Sequence, residues 1–206
     1  MSASVTKTTR LSGPERREQI LDATKGLVGE RGFHGVSIDA VARAAGISRP
    51  VVYGHFDDLA GLLHALVERE GSRALAQLME LVPRPDPDRA PRAILVDGLR
   101  AFLEAVSADP VTWRLVLMPP EGTPEVLRDR ALLVRRQVTD RLAAVVPAVL
   151  AHSGEPDPPD PELLALTMQS ISEEAARLLL EDPAAYPIDR LAAHAEWFLE
   201  RFGVRG

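Results

Sequence analysis

The chain of 206 residues is 46% hydrophobic and 26% charged, a composition that supports a folded core and excludes a disordered polymer. It holds no cysteine, which excludes disulfides and thiolate metal sites, and no run near the roughly 18 apolar residues of a membrane helix. The net charge of -6 hides a division: residues 1–56 carry eight Lys or Arg against five Asp or Glu, a net of +3, which leaves -9 for the remainder. Such asymmetry hints at a segment that faces nucleic acid.

Residues 1–13 have no apolar stretch and read as a flexible arm, not a secretory signal. A cytoplasmic chain is expected. Ser12-Gly-Pro-Glu15 fits a capping box, which opens a helix with Ile20, Ala23, Leu27 and Val28 on one face and an end near Gly32. A second short helix follows Ser37 and ends at Gly46. A third follows Ser48, which caps it, and runs to about Phe56. Asp58 caps a long fourth helix through Leu62, Leu63, Leu66, Val67, Leu75 and Leu78. Four prolines in residues 83–91 predict a loop. Helix resumes from about Arg92 to Ala108. Asp109-Pro110 and Thr123-Pro124 open a short helix around Trp113 and a long one through Val138 and Leu142, which Pro147 ends or kinks. A second proline-rich loop spans 154–161. Asp160-Pro161 and Pro187 start the last two helices, and Gly203 closes the final one. No segment alternates with period two. The expected fold is all-α with about nine helices, divided into the arm (1–13), a small three-helix domain (14–58) and a larger helical domain (59–206).

The run Ser37–Phe56 carries the chemistry. Two short helices meet at Gly46-Ile47-Ser48, where glycine tolerates the positive φ that ends the first. Ala42 and Ala45 allow close approach, and Ile38, Val41, Ile47 and Val52 are spaced to face the first helix. This is a helix-turn-helix, whose second helix enters the DNA major groove. Arg49 at its start suits a phosphate or a guanine edge, and Pro50 and Val51 suit a thymine methyl. Tyr53 and His55 suit phosphate oxygens. Ser37 sits at a helix start, where free N–H groups favour phosphate, and Ser48 belongs to the same DNA-facing set. Lys7 and Arg10 add contacts from the arm. Phe56 reads as core, and Arg43 as a solvated face.

The pattern Gly-Phe-x-Gly-x-Ser-Ile-x-x-Val-Ala-x-x-Ala-Gly-Ile-Ser-x-x-x-Val-Tyr-x-His-Phe over residues 32–56, with Arg17-x-x-Ile-Leu-x-Ala before it, resembles the N-terminal signature of TetR-type transcriptional regulators. The resemblance covers about residues 14–66. It implies an all-α homodimer that binds a palindromic double-stranded DNA operator and is released by a small-molecule effector, most simply as a repressor. One position departs: Leu59 stands where the family carries a lysine at the start of the fourth helix, which predicts fewer phosphate contacts and a shallower salt dependence.

The resemblance also implies an effector pocket in the second part. Phe102, Trp113, Leu117, Met118, Val134, Val138 and Met168 are candidates to line it, with Gln137 or Gln169 as polar groups. Dimerisation through the last two helices would use one stripe with Ile171, Ala175, Leu178 and Leu179. The other stripe would hold Leu191, His194, Ala195 and Phe198. The five histidines form no metal spacing, and no cofactor, catalytic residue or membrane partner is implied. Two alternatives remain at this level: a helical small-molecule-binding protein or enzyme with a vestigial DNA-binding head, and an activator in place of a repressor.

Overall fold

The computed structural model describes residues 11–82, 86, 88–118, 125–150 and 160–202; Lys7, Arg10, the Thr123-Pro124 start and Gly203 lie outside the described residues. Among the described residues there are nine α-helices, one 3-10 turn at Phe33–Gly35 and no strand. The helices are α1 (Gly13–Arg31), α2 (Ile38–Ala44), α3 (Arg49–Tyr53), α4 (Leu59–Leu81) and α5 (Pro91–Ala108), followed by α6 (Pro110–Leu117), α7 (Glu125–Leu150), α8 (Pro161–Glu181) and α9 (Ile188–Phe202). No described helix is long and apolar enough to cross a membrane.

Most helix starts use side chains that the sequence places there. Ser12 and Glu15 form a reciprocal capping box, the Ser12 N–H donating to Glu15 Oε2 at 2.7 Å. Asp58, Asp109 and Asp160 accept backbone N–H groups at the starts of α4, α6 and α8. Ser48 departs from this pattern: it occupies the cap position of α3, but its side chain accepts no capping bond. One boundary also differs from expectation. α3 ends at Tyr53 rather than near Phe56, because the Val52 carbonyl takes both the His55 and the Phe56 N–H and tightens the turn. α7 continues past Pro147 to Leu150. Proline removes a single N–H, and one turn from the helix end that loss does not break the helix.

The chain divides into two compact units, Met1–Leu66 and Val67–Gly206, with the division inside α4. In the first, Ile20, Val41, Val52 and Leu62 are fully enclosed, together with Leu21, Leu27, Ala42, Ala45 and Phe56. In the second, Phe102, Leu103, Val106, Trp113, Ala176, Leu179 and Leu180 form the core, and Phe102 meets Trp113 edge-on with centroids 5.2 Å apart. A charged residue is enclosed there too. Glu70 follows Leu62 and Leu66, and precedes Ala74, at four-residue intervals along the buried stripe of α4. Its carboxylate accepts from Arg69 Nε at 2.8 Å, from Arg73 at 3.2 Å and from the Thr112 hydroxyl.

Candidate nucleic-acid interface

The turn between α2 and α3 is built from backbone geometry. Gly46 has φ +65°, and a Cβ there would meet nothing within 4 Å, so the preference for glycine is conformational. The Gly46 N–H bonds to the Arg43 carbonyl and the Ile47 N–H to the Ala42 carbonyl, the paired bonds of a Schellman ending. Gln19 of α1 donates to the Ala45 carbonyl at 3.0 Å and satisfies one more of the free acceptors there. The turn is therefore held both by its own backbone and by α1.

α3 has two faces of opposite character. Val52 is 0% exposed and pins the helix to the core, with Phe56 just beyond it. Arg49, Pro50, Val51 and Tyr53 are all exposed, Tyr53 by 53%. His55 is half-buried. Its carbonyl accepts from Arg17 at 3.1 Å, while the same guanidinium lies over the Phe56 ring at 4.3 Å. Arg17 thus fixes the end of α3 to the start of α1. Ser37 caps α2 by accepting the Ala40 N–H at 3.2 Å, which leaves its hydroxyl hydrogen to donate outward. The Ser48 hydroxyl makes no cap and is exposed.

The structure adds two residues to the set marked in the sequence. Asp39, in the first turn of α2, forms an ion pair with Arg49. Arg17 positions α3. Opposite charges flanking the turn were the available signal for Asp39. Arg17 carried none beyond its place in the pattern before α2.

The remaining expected residues lie in the second unit. Phe102 and Trp113 are core residues, and Leu117 packs against them half-buried. Val138 is buried, Met168 half-buried, and Met118 and Gln137 exposed. Gln169 is buried, bonded to Thr139 and to Glu173. The Val134 side chain lies outside the described residues. Trp113 Nε1 is enclosed without a hydrogen-bond acceptor among the described residues. On α8 and α9, Ile171, His194 and Phe198 are exposed, Leu178 and Leu191 are half-buried, and Ala175 lies within the unit's own core. Trp197, which the stripe reading missed, is 52% exposed and stacks on His194 at 6.0 Å. Its spacing of three from His194 was the signal.

With this geometry in place, residues 20–66 match the family model for bacterial regulatory proteins of the tetR family. The chain's helix-turn-helix segment is of the tetR-family type. The chain is a transcriptional regulator of the helix-turn-helix type. It is 27% identical over 184 residues to the transcriptional activator FasR of Mycolicibacterium smegmatis, a match spanning 89% of this chain and 80% of that one. The fold resembles a TetR-like transcriptional regulator from Rhodococcus sp. RHA1, with TM-score 0.69 and 25% identity over 94% of this chain and 100% of that one. It also resembles the regulator FadR of Bacillus subtilis in complex with stearoyl-CoA, with TM-score 0.64 and 15% identity over 88% and 96% of the two chains. These relatives are regulators, not enzymes. The match over 20–66 contains the whole turn and the exposed face of α3, so the regulator's family signature coincides with its outward-facing polar helix.

Proposed function

We infer that the regulator binds a palindromic operator as a homodimer, chiefly as a repressor, and releases it when a small-molecule effector occupies the second unit. One observation carries the DNA-binding part: on α3, Arg49, Pro50, Val51 and Tyr53 stand outside a fully enclosed Val52. A short helix that spends its apolar face on the core and presents donors and methyl-sized groups outward suits a major groove. Arg49 reads a base edge, Pro50 and Val51 meet a thymine methyl, and the hydroxyls of Ser37, Ser48 and Tyr53 with the His55 ring contact phosphates. Leu59, half-buried at the start of α4, adds no charge there.

Dimerisation runs through Ile171, Leu178, Leu191, His194 and Phe198, extended by Trp197. Exposed apolar groups on the two last helices support it, since such a face gains by being covered. The two recognition helices of a dimer then reach successive grooves roughly 34–36 Å apart. An effector that favours another spacing weakens binding by shifting the population. The buried Trp113 Nε1 supports an effector bearing a hydrogen-bond acceptor, because an enclosed donor without a partner costs about 1–3 kcal/mol until one is supplied. Phe102, Leu117, Met118, Val138 and Met168 supply apolar lining, with Gln137 or Gln169 as polar groups. The site is intracellular, with double-stranded DNA as the macromolecular partner.

The test is a gel-shift titration of the full chain against the region upstream of its own coding sequence. A band that resists excess unrelated DNA is expected, and its absence even at low salt would sink the reading. Activation is the second reading, favoured by the FasR match. Deleting the chain and measuring transcription from the bound promoter separates the two: a rise marks repression, a fall activation.

A further inference from the structure

Arg49 opens α3, and its guanidinium is met by the carboxylate of Asp39 from the first turn of α2. The contact is made at Nε, on the side of the planar group. The opposite, end-on edge, where Nη1 and Nη2 each carry an outward N–H, is left for another partner. That edge is a two-pronged donor matched to the O6 and N7 acceptors of guanine. Both side chains are well exposed, at 61% for Arg49 and 42% for Asp39. A pair so wetted adds little to folding stability. Its consequence therefore falls on DNA recognition.

Charge decides between base and phosphate as the target. An arginine alone attracts phosphate, and its long side chain samples many orientations. With Asp39 alongside, the pair is neutral as a unit, so the pull toward phosphate is largely cancelled. The directed N–H pair survives, and a neutral base edge is not repelled by the carboxylate. The same carboxylate fixes the plane of the fork before DNA arrives, which lowers the entropy lost on binding.

We propose that Asp39 is a positioning residue that turns Arg49 from a phosphate anchor into a reader of one guanine in each half-site. This rests on the reading that α3 enters the major groove. Asp39 itself touches no base; it acts through Arg49.

The experiment selects operator DNA from a pool with randomised half-sites, using the full chain. Wild type, Asp39→Ala, Asp39→Asn, Arg49→Ala and the Asp39→Ala/Arg49→Ala double variant are then titrated on the selected site and on its single-base variants. Wild type is expected to prefer guanine at one position of each half-site by roughly tenfold or more. Asp39→Ala loses most of that preference at that position alone, while its affinity for unrelated DNA rises because an acid has left the face of a polyanion. Asp39→Asn, which keeps the size of the side chain, gives the same relaxed preference and guards against misfolding of the alanine variant. In the Arg49→Ala background, removal of Asp39 changes no base preference. Tighter binding of Asp39→Ala to all sequences with the guanine preference intact would show simple repulsion and overturn the proposal. A uniform loss on Arg49→Ala with a shallower salt slope would place Arg49 on a phosphate and overturn it too. Selection of no site by wild type would refute the DNA-reading itself. A selected site whose guanine preference survives in both Asp39 variants would refute only the positioning role.

Discussion

In residues 1–66 the enclosed side chains are apolar, apart from Thr24 among the described residues, and the Thr24 hydroxyl returns to the Ile20 carbonyl of its own helix. In residues 67–206 the enclosed set includes Glu70, Thr112, Thr139 and Gln169, and these bond between helices: Glu70 of α4 to Thr112 of α6, Thr139 of α7 to Gln169 of α8. The first unit thus keeps its chemistry outside, on α3, while the second carries polar contacts within. A surface reader needs a rigid, uniform core beneath it. Buried polar contacts instead tie particular helices into particular partners, because each donor or acceptor left without its mate is costly.

The largest test of this contrast is Glu70→Ala. It leaves Arg69, a mostly enclosed cation, and the Thr112 hydroxyl without their shared carboxylate, and a loss of about 3–5 kcal/mol in urea unfolding is expected. A loss below about 1 kcal/mol would mean that the buried network is not what secures the second unit. Next is Arg49→Ala, on the outward chemistry of the first unit: operator affinity falls about tenfold or more, with the melting temperature unchanged. If melting drops as far as binding does, Arg49 belongs to the fold and the contrast fails. Gly46→Ala is smaller, about 1–2 kcal/mol, since the cost is the left-handed backbone alone in open space. Calorimetry checks it.

The smallest effect is pH-dependent. The Ser12 hydroxyl, then its backbone N–H, holds the Glu15 carboxyl below the usual carboxylate range. A carboxyl whose folded pKa is depressed stabilises the fold above its unfolded pKa, and that stabilisation is lost as pH falls through the folded value. The melting deficit of Ser12→Ala against wild type should therefore be present at neutral pH and shrink on acidification below the ordinary carboxylate range.

The two units also differ in how much the sequence reveals. Ser12, Ser37, Gly46 and Asp58 act within four residues of themselves, on the backbone of their own turn, so their roles are legible from spacing. The all-α fold follows from such signals. Spacing fails where one element answers to another. Asp39 and Arg49 meet across the turn, and Arg17 reaches His55 from 38 residues away. Glu70 sits on an apolar stripe that hydrophobicity alone would assign to a solvated neighbour, and its reason lies at Thr112, 42 residues on. Pro147 reads as a stop or a kink, and α7 runs about one turn beyond it. The expected effector residues share this difficulty, because Phe102 and Trp113 serve the core whether or not a ligand also touches them.

The proposed function turns on α3 reading the major groove from two copies of the chain. Hydroxyl-radical footprinting of the full chain on its selected operator tests it most directly. Two protected patches centred about one helical turn apart are expected, both lost together in Tyr53→Ala and Arg49→Ala while the variants stay folded. A single patch, or protection that persists in both variants, would contradict it.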